Sequence, residues 1–411
     1  MLDPEFIRQN ADLVKKKVAA KRFDEKLVDE FLFVDSQYRA ASAEHEALLH
    51  KKNLAASERN VELGKQIKQQ LSDQDQKLTP LEIAWTQTLI KIPNLPLDTA
   101  PVGKSEDDNV EIRRVGKIPQ FGFTPQDHLM LGNKLGILDF ERGAKVSGSG
   151  FYYLKGKGVL LELALIRYAL DLLSQKGFII VQTPDLARSK YYLGTGYSPR
   201  GDEAQTYEIK DQDLGLIATA EVTLAGLHAE EILKATDLPK RYVGLSHCYR
   251  QEAGAYGKYS KGLYRVHQFT KVEMFCYTKP EDSFEMHQEL LQLEEEIWKQ
   301  LGIPYRVLEM CTADLGAQAA RKIDLEAWMP GRGGYGEITS TSNTIDYQAR
   351  RLDIRYQKEG GKISFVHTLN GTALATSRTL VTIMENYQRA DGSIEIPEVL
   401  QRYAGFNEIT A

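Results

Sequence analysis

Two neighbouring stretches hold the side chains best suited to chemistry. Cys248-Tyr-Arg-Gln-Glu-Ala-Gly-Ala-Tyr-Gly257 is followed by Gly262-Leu-Tyr-Arg-Val-His-Gln-Phe-Thr-Lys-Val-Glu273. Arg250 and Glu252 are two apart, so on a strand they share a face. Phe269, Lys271 and Glu273 share a face by the same rule, with Phe269 and Glu273 about 13 Å apart along an ideal strand. An aromatic ring at one end and a carboxylate at the other suit a long ligand with a flat ring and an amine. A guanidinium between them can pair bidentately with phosphate or carboxylate. The connection from Gly254 to Gly262 suits a hairpin with a basic loop holding Lys258 and Lys261. Taken alone, the same residues equally suit surface salt bridges on an edge hairpin.

Other catalytic signatures are missing. The sequence contains no GxxxxGKS or GxxxxGKT phosphate loop, no HExxH and no GxSxG. Gly331, Gly333 and Gly336 fit GxGxxG, but they precede a strand-like Glu337-Ile-Thr-Ser where a dinucleotide site requires a helix, so they predict a glycine-rich turn. Cys248, Cys276 and Cys311 are too widely spaced for a CxxC zinc pair and read as small core residues. Their odd, sparse number fits a reducing cytosol. His267 and His367 read as structural hydrogen-bonders. Thr219-Ala-Glu221 by itself reads as a helix start, with Thr as cap and Glu in the first turn.

A scaffold must position these groups. At roughly 150 residues per domain, 411 residues suggest two or three domains. The net charge of −5 argues against a protein that coats nucleic acid by bulk charge, though not against a local basic patch. The N-terminus lacks a basic-then-apolar signal, and the most apolar stretch, 159–173, carries Glu162, Arg167 and Asp171. A cytoplasmic protein with no membrane partner is expected.

Residues 1–100 contain one glycine, Gly64, and read as long helix. Leu27, Phe31, Val34, Tyr38, Ala41, His45 and Leu48 form a heptad seam, and Ile67, Leu71, Leu78, Leu81, Trp85 and Ile92 continue the spacing. Two seams predict an antiparallel helical hairpin. Equal arms place its tip near 53–60, with a break at Pro80, where Thr79-Pro80-Leu81-Glu82 resembles a helix start. Residues 51–68 carry Lys51, Lys52, Arg59, Lys65 and Lys68 against Glu58 and Glu62. That patch suits either a solvated helix face or a tip that touches nucleic acid. Pro93-Asn-Leu-Pro96 and a polar linker then divide the chain into domains 1–100 and 101–411. Beyond 110 the expected elements are a helix over 159–175 and strands over 178–182, 242–249, 266–277 and 363–368. Helices are expected over 280–300 and 373–387. Their order is not a βαβα alternation, so an antiparallel α+β domain is expected.

The segment from Cys248 to Glu273 resembles motif 2 of the class II aminoacyl-tRNA synthetases, in the form used by seryl-tRNA synthetases. The resemblance runs from Met1-Leu-Asp-Pro-Glu-Phe-Ile-Arg through Ile217-Ala-Thr-Ala-Glu-Val222 and Glu337-Ile-Thr-Ser-Thr-Ser-Asn343. It continues through Gln348-Ala-Arg-Arg351 to His367-Thr-Leu-Asn-Gly-Thr-Ala-Leu-Ala-Thr-Ser-Arg378. Each motif is short; their order and spacing together are specific. Lys258-Tyr-Ser-Lys261 stands where the family more usually has Arg-Asp-Thr-Arg, which keeps charge and loses bidentate capability.

The resemblance implies a class II antiparallel catalytic sheet flanked by helices, behind a tRNA-binding helical hairpin. It implies activation of L-serine by ATP and transfer to serine tRNA, with selenocysteine tRNA left open as a second acceptor. Arg250, Glu252 and Arg378 would be catalytic. Thr219, Ala220, Glu221, Arg250, Glu273, Asn370 and Thr372 would bind serine. Arg250, Gln251, Glu252, Arg265, Val266, Phe269, Glu337, Ile338, Thr339, Ser340 and Arg378 would bind ATP, and Glu337 and Ser340 would hold Mg²⁺. Pro184 and the helix before it resemble motif 1, which implies a homodimer. Two rivals remain: a relative that loads a carrier protein, and a non-catalytic binding paralogue.

Overall fold

The computed structural model describes residues 1–197, 206–252, 261–358 and 360–411. The chain divides into two compact units, Met1–Leu95 and Pro96–Ala411.

In the first unit, α1 (Pro4–Gln9) and α2 (Ala11–Ala20) precede two long helices, α3 (Lys26–Ser57) and α4 (Val61–Leu89). Asp3 caps α1 through its side chain, and the Asn60 side chain accepts from Leu63 N at 3.1 Å to start α4. α3 and α4 form the hairpin, with its turn at 58–60. The heptad seam is visible in the packing. Phe31 and Tyr38 pack on Trp85, and Ala55, Ile67 and Leu71 close the distal end with Leu48. Polar residues in the seam are tied: Asp35 accepts from Arg8 at 3.0 Å and from Trp85 Nε1 at 2.9 Å, and Gln74 donates to Ala41 O at 3.0 Å.

The expected break at Pro80 does not occur; α4 runs through it. Pro80 is exposed. Only the carbonyl four residues back loses its donor, and Gln76 is on the solvent side, where water can serve it. The Thr79 hydroxyl, read as a cap, instead donates back to Asp75 O at 3.0 Å, inside the helix.

The second unit is built on an eight-stranded sheet. Its strands in chain order are β1 (Val110–Val115), β2 (Ile179–Gln182), β3 (Lys240–Tyr249), β4 (Gln268–Thr278), β5 (Tyr305–Glu309), β6 (Arg321–Met329), β7 (Gly334–Ile345) and β8 (His367–Ala375). The spatial order is β1-β5-β6-β7-β8-β4-β3-β2. Every neighbouring pair is antiparallel except β2 with β3. The helices used below are α5 (Lys157–Gln175), α6 (Glu221–Gly226), α7 (Ser283–Gln300), α8 (Tyr347–Leu352) and α9 (Thr376–Asn386). α5 and α7 bury Leu161, Leu165, Leu290 and Trp298 in the same core as Val272, Met274, Ile323, Leu325 and Leu369 of the sheet. One face of the sheet is thus apolar, and the alternate residues are free to be polar.

Three expectations shift. β8 reaches Ala375, past the expected end at 368, and α9 begins at Thr376 rather than 373. A central strand buried on both faces shows no alternation, so its small and apolar run reads ambiguously. β3 stops at Tyr249, so Arg250 and Glu252 are not strand residues; Glu252 has φ +52°. The glycine-rich turn at 330–333 joins β6 to β7, with Gly333 at φ +65°. Among the described residues, no helix is long and apolar enough to cross a membrane.

Candidate active site

The polar face of the central strands carries two adjoining cavities. The first has a volume of about 480 Å³ and is lined by Glu221, Arg250, Lys271, Glu273, Asn370 and Thr372, among others. Register explains the grouping: Glu273 on β4 lies directly across from Thr372 on β8, beside a bulge between Val272 and Glu273. Bulges near sites re-aim side chains. The Thr372 hydroxyl donates to Glu273 at 3.2 Å, and Lys271 forms an ion pair with the same carboxylate. Both partners are nearly fully buried.

Glu221 opens α6. Its N–H donates to the Thr219 hydroxyl at 3.2 Å. The helix-start reading and the site reading therefore describe one structure: Thr219 shapes the turn and Glu221 faces the cavity. The Glu221 carboxylate accepts from Gln348 Nε2 at 2.7 Å, Asn370 Nδ2 at 3.0 Å and the Tyr197 hydroxyl at 3.1 Å. Gln348 is itself fixed, accepting from Thr368 at 2.8 Å and donating to Thr195 O at 3.1 Å. Burial, then the neighbouring Glu273 charge, push the Glu221 carboxyl up to about 7.

The second cavity is lined by Arg250, Glu252, Arg265, Val266, Phe269, Glu337, Ile338, Thr339 and Arg378, with Tyr264, Lys271, Thr372, Ala375 and Ser377. The Arg250 guanidinium lies 5.3 Å over the Phe269 ring. Arg378 stacks 4.8 Å over Tyr264 and lies 3.2 Å from the Glu337 carboxylate. Arg265 and Glu252 form a close pair, which suits the turned backbone at Glu252. The Glu337 side chain is 42% exposed to the cavity. It still sits deep enough that loss of bulk water alone would raise its carboxyl; Arg378, Lys322 and Arg250 outweigh that and hold it well below the usual carboxylate range.

The structure groups most of the expected residues. Thr219 and Ala220 line neither cavity; both are fully buried just before Glu221, with Ala220 in an apolar cluster. Gln251 turns away and donates to Thr206 O at 2.9 Å. Ser340 opens on the first cavity rather than the second. The hairpin loop with Lys258 lies outside the described residues, while Lys261 pairs with Asp127 at 2.6 Å. His267 bonds the Tyr207 hydroxyl, His367 bonds Ser283 at 2.9 Å, and the three cysteines are buried and free.

Sequence reasoning missed Tyr264, Lys322, the 313–319 wall of the first cavity, and the grip of Gln348 on Glu221. Only Gln348 had a signal, as a polar residue in an otherwise structural Gln-Ala-Arg-Arg run.

Residues 1–96 match the seryl-tRNA synthetase N-terminal domain, and 206–387 match the class II core domain of the G, H, P, S and T synthetases. The serine–tRNA ligase of Rubrobacter xylanophilus is 52% identical, with 98% of each chain covered. The chain belongs to the seryl-tRNA synthetase family. Its class of activity, serine–tRNA ligation, follows from that membership. The serine–tRNA ligase of Dictyoglomus thermophilum is 49% identical over 100% of this chain and 99% of the relative. The seryl-tRNA synthetase of Pyrococcus horikoshii, solved with ATP, superposes with a TM-score of 0.92 at 42% identity, covering 100% of this chain and 99% of that one. The cytoplasmic enzyme of Naegleria fowleri, solved with AMP, gives 0.88 at 34% identity, with the same coverage.

Proposed function

We propose that the two cavities are the serine and ATP halves of one active site, joined at Arg250. The observation that carries this reading is that Arg250 lines both cavities. A guanidinium there can hold the serine carboxylate with one edge and the α-phosphate with the other. The serine carboxylate attacks the α-phosphorus, pyrophosphate leaves, and seryl-adenylate forms. A terminal adenosine hydroxyl of serine tRNA then attacks the carbonyl, and AMP leaves. The residues position reactants and stabilise charge, because a carboxylate is already a competent nucleophile.

In the ATP half, Phe269 and the apolar walls of Val266 and Ile338 suit a purine, which requires the Arg250 guanidinium to move off the ring. Glu252 can accept from an adenine amino group. Arg265 and Arg378 face the triphosphate. In the serine half, Glu221 suits the ammonium group and Glu273 with Thr372 the hydroxyl. Burial of these polar groups makes alanine a poor substitute, since it would leave them unpaired.

Glu337 and Ser340 supply hard oxygen donors of the kind Mg²⁺ takes alongside phosphates. Among the described residues, buried Oδ1 of Asp324, directly across β6–β7 from Ser340, has no hydrogen-bond partner, which fits a cation nearby. When bound, the ion neutralises phosphate charge. Glu337 and Ser340 would hold it at the junction of the cavities.

The 1–100 arm binds tRNA through its tip in this reading, where Lys51, Lys52, Arg59, Lys65 and Lys68 are all exposed around the 58–60 turn. Selenocysteine tRNA stands open as a second acceptor. Leu160 and Leu163 of α5 and Ile179 and Ile180 of the edge strand β2 are exposed apolar side chains that suit burial in a homodimer interface. The free cysteines fit the cytoplasm.

Serine-dependent ATP–pyrophosphate exchange, followed by serylation of tRNA, tests the reading. Both steps should occur. Exchange without transfer would sink the tRNA assignment, and no exchange would sink the active site. Glu273→Ala should abolish serine activation while ATP binding survives; unchanged exchange refutes the pocket.

A further inference from the structure

Charge pairing within the first cavity singles out a residue that the proposed reaction leaves without a role. Four acidic side chains face the cavity: Glu221, Glu273, Glu337 and Asp314. Glu337 is held by Arg378 at 3.2 Å. Asp314, at the half-buried rim, accepts from Asn109 at 2.8 Å. Among the described residues, the hydrogen bonds to Glu221 come from neutral donors, Gln348, Asn370 and Tyr197. Glu273 alone is locked to a cation from its own strand, two residues away: Lys271, with 6% exposure against 1% for Glu273. Lys322, the remaining ammonium on the cavity wall, pairs with Asp324 at 3.2 Å.

The two carboxylates nearest a bound serine therefore differ in kind. Glu221 is hydrogen-bonded by neutral donors and forms no ion pair among the described residues, so its ionised form is open to an ammonium group. Glu273 is half of a closed pair. It can accept a hydrogen bond, and it has no charge left to balance a second cation.

We propose that Lys271 is the positioning residue that sets side-chain selectivity: by closing an ion pair with Glu273 it reserves that carboxylate for a neutral hydroxyl. The inference rests on the serine-pocket reading. A substrate with an amine in place of the serine hydroxyl, 2,3-diaminopropionate, would place a cation beside the Lys271 ammonium with no free carboxylate to receive it. Like charges in a buried site repel strongly. Removing Lys271 leaves Glu273 as an unpaired buried charge, which then recruits a cationic side chain.

The test is pyrophosphate exchange with serine and with 2,3-diaminopropionate. For Lys271→Met, the ratio of kcat/KM for serine to that for the diamine should fall by about tenfold or more. Lys271→Arg should keep the original ratio. The double variant Lys271→Met with Glu273→Gln should lose the gain for the diamine, because no carboxylate remains to be unmasked. An unchanged ratio in Lys271→Met overturns the proposal, as does an effect confined to the KM for ATP. Glu273→Gln alone separates the two levels. If it leaves serine KM untouched, the pocket reading itself fails. If it raises serine KM while Lys271→Met keeps its discrimination, only the role of Lys271 fails. Should Lys271→Met not fold, Lys271→Gln supplies the same comparison.

Discussion

The helical arm and the catalytic sheet handle charge in opposite ways. Around the arm's tip, Lys51, Lys52, Arg59, Lys65 and Lys68 are all exposed. In the catalytic unit, Glu221, Lys271 and Glu273 are each no more than 6% exposed. An exposed charge acts at long range, weakly, and is screened by salt. A buried one acts through its partner, and the partner decides what it can bind. The bulk charge says nothing about either: residues 1–100 hold 15 Lys and Arg against 16 Asp and Glu, so even the arm is not basic overall. What matters is placement, at a hairpin tip in one unit and on a buried strand and the start of a helix in the other. Substitutions should therefore be graded and additive in the arm, and large and non-additive in the sheet.

The sharpest way to break the contrast is at Arg250. Arg250→Ala should lower serine-dependent exchange by about 10²–10³, the scale of losing a preorganised donor to a developing charge. Lysine at the same position should recover only part of it, because a point charge cannot bridge two anions bidentately. A loss below about tenfold would mean that the site behaves like the arm.

Neutralising the five basic tip residues to Gln should leave exchange unchanged and raise the tRNA KM for serylation. The dependence of tRNA affinity on log salt should become shallower by about 0.7–0.9 for each phosphate that is no longer neutralised. Binding titrations at several salt concentrations measure it. An unchanged slope would make the patch a solvated helix face and nothing more.

A smaller and graded effect is expected from pH. Glu221, with its carboxyl pushed up to about 7, is partly protonated at neutral pH. The ammonium group binds the ionised form. Serine KM should therefore be flat above pH 8 and rise as pH falls through 7, approaching about tenfold per unit. Gln348→Glu removes a donor and adds a like charge, which should move the rise to higher pH. A serine KM that is flat from pH 6 to 8 would show that another group anchors the ammonium.

Much of this was legible in the sequence, and the gaps have physical causes. Alternation on β4 placed Phe269, Lys271 and Glu273 on one face because a strand's period is fixed. The heptad seams marked the two helices, and equal arms then placed the turn near 53–60, where it lies at 58–60. Arg250 and Glu252 were misplaced on a strand because β3 ends at Tyr249 and the backbone turns at Glu252, at φ +52°, where its side chain pairs with Arg265 from a later segment. Gln348 and the 313–319 wall arrive from distant chain segments, and no local period marks them. The boundary of β8 was blurred because a strand buried on both faces has no alternating signal.

Pro80 is the mildest test, and it bears on the arm's tolerance. A proline within a helix removes one hydrogen bond and crowds the preceding turn, yet α4 continues through it on an exposed face. Pro80→Ala restores an N–H that can reach the carbonyl of Gln76. The arm should become more stable by about 1–3 kcal/mol, since alanine is the better helix residue by that order. Amide hydrogen exchange over residues 76–84 should slow accordingly, and serine-dependent pyrophosphate exchange should not change. Were Pro80→Ala destabilising, the proline would be holding a bend that the seam around Trp85 depends on. The arm would then be as finely fitted as the sheet, and the contrast between the two units would fail on the side where it looks safest.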